Sequence, residues 1–428
     1  MTILKRGDTG SLVELMQLAL MRSGYLSEEP DGIFGPRTES ALLLFQRNFG
    51  LPQTGVTNIE TNEMLSRFIK GYFIRTVRRG DTLWSLAAAY GTTLTAITAA
   101  NPGVQPNDLQ IGQKITVPFG FEITPDNIAY SFDAVSLIIE GLKARYPFID
   151  VLRVGSSAMG REITAFTIGE GKNELFINAG FHANEWLNIP LVLTFAEEYL
   201  YAFITGDTVS GENARSLFEN TKLIIVPLVN PDGLDLVTGA IKSGESFNYA
   251  VKISNDYPSI PFPSGWKANI EGIDLNLQYP ANWEKARDIK FAQGFISPAP
   301  RDYVGNAPLS APEARAIYDF TNQNDFKMII AYHSQGNIIY WKYLDYLPPE
   351  SLRIGEILSK ASGYSLETTP EASSYAGYKD WFIGQFNRPG YTVETGIGVN
   401  PLPISQFQSI YAANKPLIAA ALRETARL

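Results

Sequence analysis

The chain has 428 residues, of which 45% are hydrophobic, 12% aromatic and 18% charged, and this composition is typical of folded globular proteins rather than disordered or fibrous ones. Its length predicts two or three domains rather than one. The formal net charge is -9, which argues against nucleic acid as a partner because phosphate backbones are bound by basic surfaces.

The chain has no cysteine and only two histidines, His182 and His333. Disulfides, thiolate metal sites and a cysteine nucleophile are therefore excluded, and a metal site has to use histidine and carboxylate ligands. No apolar run approaches the length of a membrane span, and the first ten residues lack the apolar core of a secretory signal. We expect no membrane span and a cytoplasmic protein.

Residues 1–70 are predicted to form a small helical module. Apolar residues recur at helical spacing in two stretches, 12–20 and 41–49, and the loop DGIFGPRTES links them. The residues alone predict a three-helix bundle. In order and spacing, this segment also resembles the peptidoglycan-binding domain type one of cell-wall hydrolases, which implies a wall-binding role.

Residues 71–119 are predicted to fold in the order β-α-α-β. The segment contains RRGDTLWSLAAAYG, TLTAITAANPG and LQIGQKITVP and resembles the LysM module, a binder of glycans that contain N-acetylglucosamine. By this resemblance, the glycan-binding loops hold Gly80, Asp81, Thr82, Asp108, Leu109 and Ile111. Asp81 and Thr82 are also good helix N-caps, so capping alone is an alternative explanation for these two residues.

Residues 120–428 are predicted to form an α/β domain with a mixed, mostly parallel sheet flanked by helices. Short continuous apolar runs, such as ELFINAG, TKLIIVPLV and DFKMIIAYH, alternate with amphipathic helical stretches, and buried parallel strands read in this way.

Polar residues follow three of these strand-like runs. His182, His333 and Glu394 each stand at the end of one run, and ligands of open α/β sheets bind beyond the carboxyl ends of the strands. Glu185 lies three residues after His182, so an imidazole and a carboxylate can reach one ion. With His333 they form a His2Glu set, which leaves an open position on a tetrahedral zinc ion. A structural role for each histidine is the alternative.

Six separated motifs identify the domain's family. They are GSSAMGREI, INAGFHANEW, LVNPDG, GWKANIEGIDLNLQYP, AYHSQG and TVETG, and together they resemble the zinc carboxypeptidases whose namesake is carboxypeptidase A. The resemblance implies one Zn2+ bound by His182, Glu185 and His333, with Glu394 as general base. It also implies substrate-binding roles for Arg161 and Asn276, although Arg161 is equally well explained as a surface ion pair.

The sequence departs from the family pattern at three positions. Leu277 stands where the family has the arginine that clamps a substrate's C-terminal carboxylate, and a neutral side chain cannot form that pair. Lys267 stands where the family has the arginine that stabilises the oxyanion, and an ammonium group can still do so. The family's mobile tyrosine corresponds to Ala372. Tyr375 and Tyr378 are nearby substitutes, or packing residues.

The resemblance implies a wall-degrading member of the family. Loss of the clamp favours endopeptidase chemistry, and a subgroup with peptidoglycan-binding modules cleaves the γ-D-glutamyl to diaminopimelate bond of peptidoglycan stem peptides. We therefore predict a zinc-dependent peptidoglycan endopeptidase whose partners are peptidoglycan and muropeptides. We expect it to act in the cytoplasm, for example inside a sporulating cell, or on the cell wall after release. The alternatives are a metallocarboxypeptidase that releases C-terminal residues and an inactive wall-binding protein.

Overall fold

The computed structural model describes residues 2–428, which group into two compact units. The first unit comprises the chain up to residue 150 together with 197–207, and the second comprises 151–196 and 208–428. No helix within the described residues is both long and apolar enough to cross a membrane.

The first unit begins with a three-helix module, as the sequence predicts. Its apolar core includes Val13, Leu42 and Phe45, which are fully buried. Asn58 begins the third helix by accepting a hydrogen bond from the Thr61 amide. The helices are α1 (Ser11–Arg22), α2 (Pro36–Asn48) and α3 (Ile59–Lys70).

The predicted β-α-α-β order is confirmed in the next module. Its two strands pair antiparallel, and the buried side chains of Ile97, Ile115 and Val117 lie in its apolar core. Two short helices connect the strands, each capped by a threonine. The elements are β1 (Tyr72–Thr76), α4 (Leu83–Ala89), α5 (Leu94–Ala100) and β2 (Lys114–Pro118).

A buried ion pair lies in the first unit, on the C-terminal side of the predicted module boundary at residue 119. Arg145, at the end of α6 (Phe132–Arg145), pairs with Glu197 at 3.2 Å. The Arg145 guanidinium also donates to the backbone carbonyls of Gly71, Phe119 and Phe121. Because these carbonyls flank the β1–β2 module, Arg145 joins that module to α6 within one unit.

The second unit is built on an eight-stranded sheet. The order of its strands is β11-β10-β12-β9-β5-β8-β4-β3. The strands of the sheet are β3 (Asp150–Ser156), β4 (Glu162–Ile168), β5 (Asn173–Asn178), β8 (Thr221–Val226), β9 (Phe326–His333), β10 (Ile338–Tyr340), β11 (Ser365–Glu367) and β12 (Gly390–Glu394). A separate small pair is formed by β6 (Thr208–Val209) and β7 (Glu212–Asn213).

Helices accompany this sheet along the chain. The longest, α15, is the last helix and is largely buried along its second half. The helices from α7 onward are α7 (Asn188–Thr205), α8 (Ala214–Asn220), α9 (Pro231–Val237), α10 (Glu245–Asn255), α11 (Trp283–Ala292), α12 (Pro312–Asn322), α13 (Ser351–Ser362), α14 (Tyr378–Phe386) and α15 (Phe407–Thr425).

The central strands are parallel and buried. β12, β9, β5 and β8 pair parallel with one another in that order, whereas β10 and β4 join them antiparallel. Side chains of both faces are buried here, for example Phe176, Ile177 and Ile330, which are fully inaccessible. The sheet is therefore mixed and mostly parallel, as predicted, and the carboxyl ends of β5, β9 and β12 lie at the same edge.

The Arg145–Glu197 pair gives a prediction about stability. Arg145→Met leaves the Glu197 carboxylate buried without its cation, which typically costs about 3–5 kcal/mol. We expect denaturant unfolding, followed by circular dichroism, to show a destabilised first unit. Replacement of the exposed Arg79 by Met is the control, and equal unfolding of the two variants would contradict the assignment of Arg145 as the joining residue.

Candidate metal centre and active-site cleft

The sheet edge brings His182, Glu185 and His333 together. The Nδ1 atoms of the two histidines lie 3.2 Å apart. The Glu185 carboxylate lies 3.0 Å from His182 Nδ1 through Oε1 and 3.0 Å from His333 Nδ1 through Oε2. Gly180 makes the turn from β5 to His182 with a φ of +69°, a backbone conformation that glycine adopts without strain.

This donor set fits a zinc ion. Two nitrogens bound to one tetrahedral zinc ion at about 2.0–2.1 Å lie about 3.3 Å apart, close to the observed Nδ1 separation. His182 Nε2 lies 3.0 Å from Asp274 Oδ1, so the carboxylate orients the ring with Nδ1 toward the metal position. The carboxylates of Glu185 and Asp274 raise the pKa of His182 to about 9 although burial opposes its charging, and the same negative field attracts a divalent cation.

Lys267 and Glu394 lie beside these ligands. Lys267 Nζ is 2.6 Å from Glu185 Oε1. Glu394 ends β12 and is in register with His333 on β9. Burial, and after it the charge of Glu185, raises the pKa of Glu394 to about 8. A carboxylate with a pKa near neutrality is suited to take up and release a proton.

Two connected cavities form a cleft across this site. Both are lined by Lys267, Arg301, Tyr340 and Glu394. The larger has a volume of about 740 Å³ and includes Asn184 and Asn400 in its wall. The smaller has a volume of about 240 Å³ and its wall also includes His182, Asp274, Asn276, Leu277, Lys290, Lys379 and Asp380. The cleft therefore extends to both sides of Glu394.

Of the predicted substrate-binding residues Asn276 and Arg161, only Asn276 lines the cleft. Asn276 lines the smaller cavity, and its Oδ1 accepts a hydrogen bond from the Tyr378 amide. Arg161 pairs with Asp235 at 2.8 Å and donates to the Pro231 carbonyl, and it is not among the residues lining either cavity. The alternative interpretation of Arg161 as an ion-pairing residue agrees with these contacts.

Both candidate tyrosines lie in apolar surroundings. Tyr375 packs with Trp283 and Val304, and its hydroxyl accepts from Lys285 Nζ at 3.1 Å. Tyr378 is fully buried. Neither lines the two cavities. The tyrosine in the cleft wall is Tyr340 instead, at the end of the short strand β10.

Sequence reasoning missed Arg301, Tyr340 and the role of Asp274. Asp274 was part of the motif DLNLQ, and the carboxylate–histidine–zinc arrangement was the signal that could have identified it. Arg301 lies in an irregular loop and Tyr340 on a three-residue strand, where no periodic pattern marks a site.

The predicted glycan-binding loops lie side by side in the first unit. Val77 N donates to the Gln113 carbonyl at 2.8 Å, and Gly112 N donates to the Val77 carbonyl at 2.9 Å. These hydrogen bonds join the chain after β1 to the chain before β2. The first loop turns at Gly80, whose φ is +90°.

The residues of these loops have distinct roles. Thr82 caps α4 by accepting from the Ser85 amide, which agrees with the capping interpretation, and its glycan-binding role stays a prediction. Asp81 pairs with Arg75 at 3.0 Å. In the second loop, Leu109 packs against the apolar core, Asp108 accepts from Gln110 and Ile111 is 72% exposed.

Comparison with known proteins decides the family. The model of the zinc carboxypeptidase family matches residues 136–416. The chain belongs to this family. It is a zinc metallopeptidase. The LysM domain model matches residues 76–118, and that of the putative peptidoglycan binding domain matches 9–65.

Individual relatives agree with this assignment. The chain is 41% identical to gamma-D-glutamyl-L-diamino acid endopeptidase 1 of Lysinibacillus sphaericus, over 78% of this chain and 96% of the relative. It is 36% identical to the uncharacterized protein YqgT of Bacillus subtilis, over 68% and 77%. The structure of bovine thrombin-activatable fibrinolysis inhibitor in complex with tick carboxypeptidase inhibitor matches with a TM-score of 0.54 and 19% identity, over 70% of this chain and 98% of that one, which shows the shared fold.

The Asp274–His182 contact gives a prediction about metal affinity. In Asp274→Asn the negative charge that holds the His182 ring is lost, and we expect zinc to bind roughly 10- to 100-fold more weakly. Competition with a chromophoric chelator measures this directly. Asp288→Asn, which changes an exposed aspartate of α11, is the control. Unchanged zinc affinity in Asp274→Asn would show that Asp274 does not orient the ligand.

Proposed function

We propose that this zinc peptidase hydrolyses the amide bond between the γ-D-glutamyl and diaminopimelate residues of peptidoglycan stem peptides, and that its N-terminal modules bind the cell wall. The observation that carries the proposal is Leu277 in the wall of a cleft that extends to both sides of Glu394. A cleft without a carboxylate clamp admits substrates whose chain continues past the cleaved bond. The activity in the name of the Lysinibacillus sphaericus relative supports the same bond.

Two lysines of the smaller cavity, Lys290 and Lys379, do not replace the missing clamp. Lys379 Nζ already donates to the Lys342 carbonyl and to Thr369 Oγ1, at 2.8 and 3.0 Å. Lys290 Nζ is paired with Asp302 at 2.5 Å. Since both ammonium groups have partners within the protein, neither lysine is available to clamp a C-terminal carboxylate beside Leu277.

The N-terminal modules support a wall substrate independently. A LysM module and a peptidoglycan-binding module hold the enzyme on the polymer that carries the stem peptides. Tethering of this kind raises the effective concentration of the substrate at the active site without any new contact in the cleft. A peptidase that acts on soluble proteins gains nothing from such modules.

The reaction is derived from the residues around the sheet edge. His182, Glu185 and His333 would hold the zinc ion, which when bound would supply Lewis acidity at this site. The Glu394 carboxylate takes a proton from the attacking water and passes it to the nitrogen of the leaving diamino acid. Lys267 Nζ stabilises the negative charge that develops on the carbonyl oxygen.

Mass spectrometry of muropeptides tests the proposal. We expect the zinc-loaded protein to release one product with L-Ala-D-Glu and one with diaminopimelate. Glu394→Gln removes the proton acceptor, so we expect cleavage to fall by about 10²- to 10⁴-fold, and a chelator abolishes it. Glu284→Gln, at an exposed position of α11, is the control and retains activity.

The alternative functions give different products in the same experiment. Release of only a C-terminal residue would establish a carboxypeptidase. Intact muropeptides after incubation with the zinc-loaded protein would leave the inactive wall-binding protein as the better description.

A further inference from the structure

Arg301 is held at a defined place between Lys267 and Asp274. The carbonyl of Pro300 accepts hydrogen bonds from the Lys267 amide at 2.8 Å and from the next amide at 3.0 Å. The amide of Asp302 donates to Asp274 Oδ2 at 3.1 Å. Both neighbours of Arg301 are thus fixed to segments that carry active-site groups, and its side chain lines both cavities of the cleft.

Arg301 shares the carboxylate of Asp302 with a second cation. Lys290 Nζ lies 2.5 Å from Oδ1 of Asp302, and Arg301 Nε lies 2.7 Å from Oδ2. The carboxylates of Asp274 and Glu185 attract the guanidinium electrostatically without a direct contact. Among residues 2–428, the Nη1 and Nη2 atoms of Arg301 have no hydrogen-bond or ion-pair partner, and the side chain is 42% exposed.

The geometry therefore points to a carboxylate site at the outer edge of the guanidinium. A guanidinium presents paired N–H donors that match the two oxygens of a carboxylate, and such charge-assisted pairs are strong and directional. The other cations of the cleft are engaged elsewhere, because Lys267 lies against Glu185 and Lys290 against Asp302.

We propose that Arg301 binds the free α-carboxylate of the γ-linked D-glutamyl residue and so makes the enzyme selective for stem peptides in which this group is not amidated. The inference rests on the proposed function. In a γ-glutamyl amide the α-carboxylate lies on the acyl side, separated from the scissile carbonyl only by the α-, β- and γ-carbons. Diaminopimelate carries two carboxylates. The one beside its acylated nitrogen becomes an amide wherever the stem continues, and the other lies at the far end of its side chain, further from the scissile bond. The glutamyl α-carboxylate is therefore the group that is both near the scissile bond and free in short and long stems.

The experiment compares two muropeptides that differ only at this group, one with D-glutamate and one with D-isoglutamine. For the wild-type zinc enzyme we expect kcat/KM to be roughly 10- to 100-fold higher for the D-glutamate substrate. In Arg301→Gln the ratio falls toward one, because the loss is confined to the substrate with the carboxylate, and Arg301→Lys recovers part of it. Arg287→Gln is the matched control, since Arg287 also pairs with the aspartate that follows it but does not line the cleft.

The outcomes separate this inference from the proposed function. Cleavage of neither substrate by the wild type would overturn the proposed function and this inference with it. Equal cleavage of both would overturn the Arg301 site alone. Selectivity that persists in Arg301→Gln, or that follows amidation of the diamino acid instead of the glutamate, would also overturn it.

Discussion

The second unit depends on a buried ionic network at the carboxyl edge of its sheet. Asp274, His182, Glu185, His333 and Lys267 form a continuous set of contacts of 2.6 to 3.2 Å. Buried charges are tolerated only when they are paired, and a divalent cation among three of these groups adds the positive charge that two carboxylates require. The parallel strands β5 and β9 are rigid supports that hold the two imidazoles at the separation a metal ion needs.

The same network positions the cleft as well as the metal. Asp274 orients His182 through one carboxylate oxygen and holds the Asp302 amide through the other. Since Arg301 immediately precedes Asp302, a single carboxylate fixes both a metal ligand and the guanidinium proposed to bind substrate. The position of a metal ligand and the position of the proposed substrate-binding guanidinium therefore both depend on Asp274.

The parts of the site that lie on regular elements could be predicted from the sequence. His182, His333 and Glu394 follow apolar runs that read as strands, and parallel strands bring their carboxyl ends to one edge. Arg301 could not be found in this way, because its place is set by its neighbours in a loop without periodicity. The Pro300 carbonyl accepts from the Lys267 amide, and the Asp302 amide donates to the Asp274 carboxylate. The contact of Arg145 with Glu197 could not be predicted for a similar reason, because these residues are 52 positions apart in the chain.

Leu277 and Arg301 together change the place at which the cleft can bind a negatively charged group of the substrate. An exopeptidase has to identify a chain end, so its cation belongs on the leaving-group side of the scissile bond. At Leu277 that cation is absent, whereas Arg301 supplies a guanidinium whose outer edge is not neutralised by Asp302. If the recognised charge lies on the acyl side, the residue after the cleaved bond is free to continue into a longer stem or a cross-link. Endopeptidase specificity then has two requirements. Leu277 removes the recognition of a chain end, and Arg301 recognises a charge on the other side of the cleaved bond.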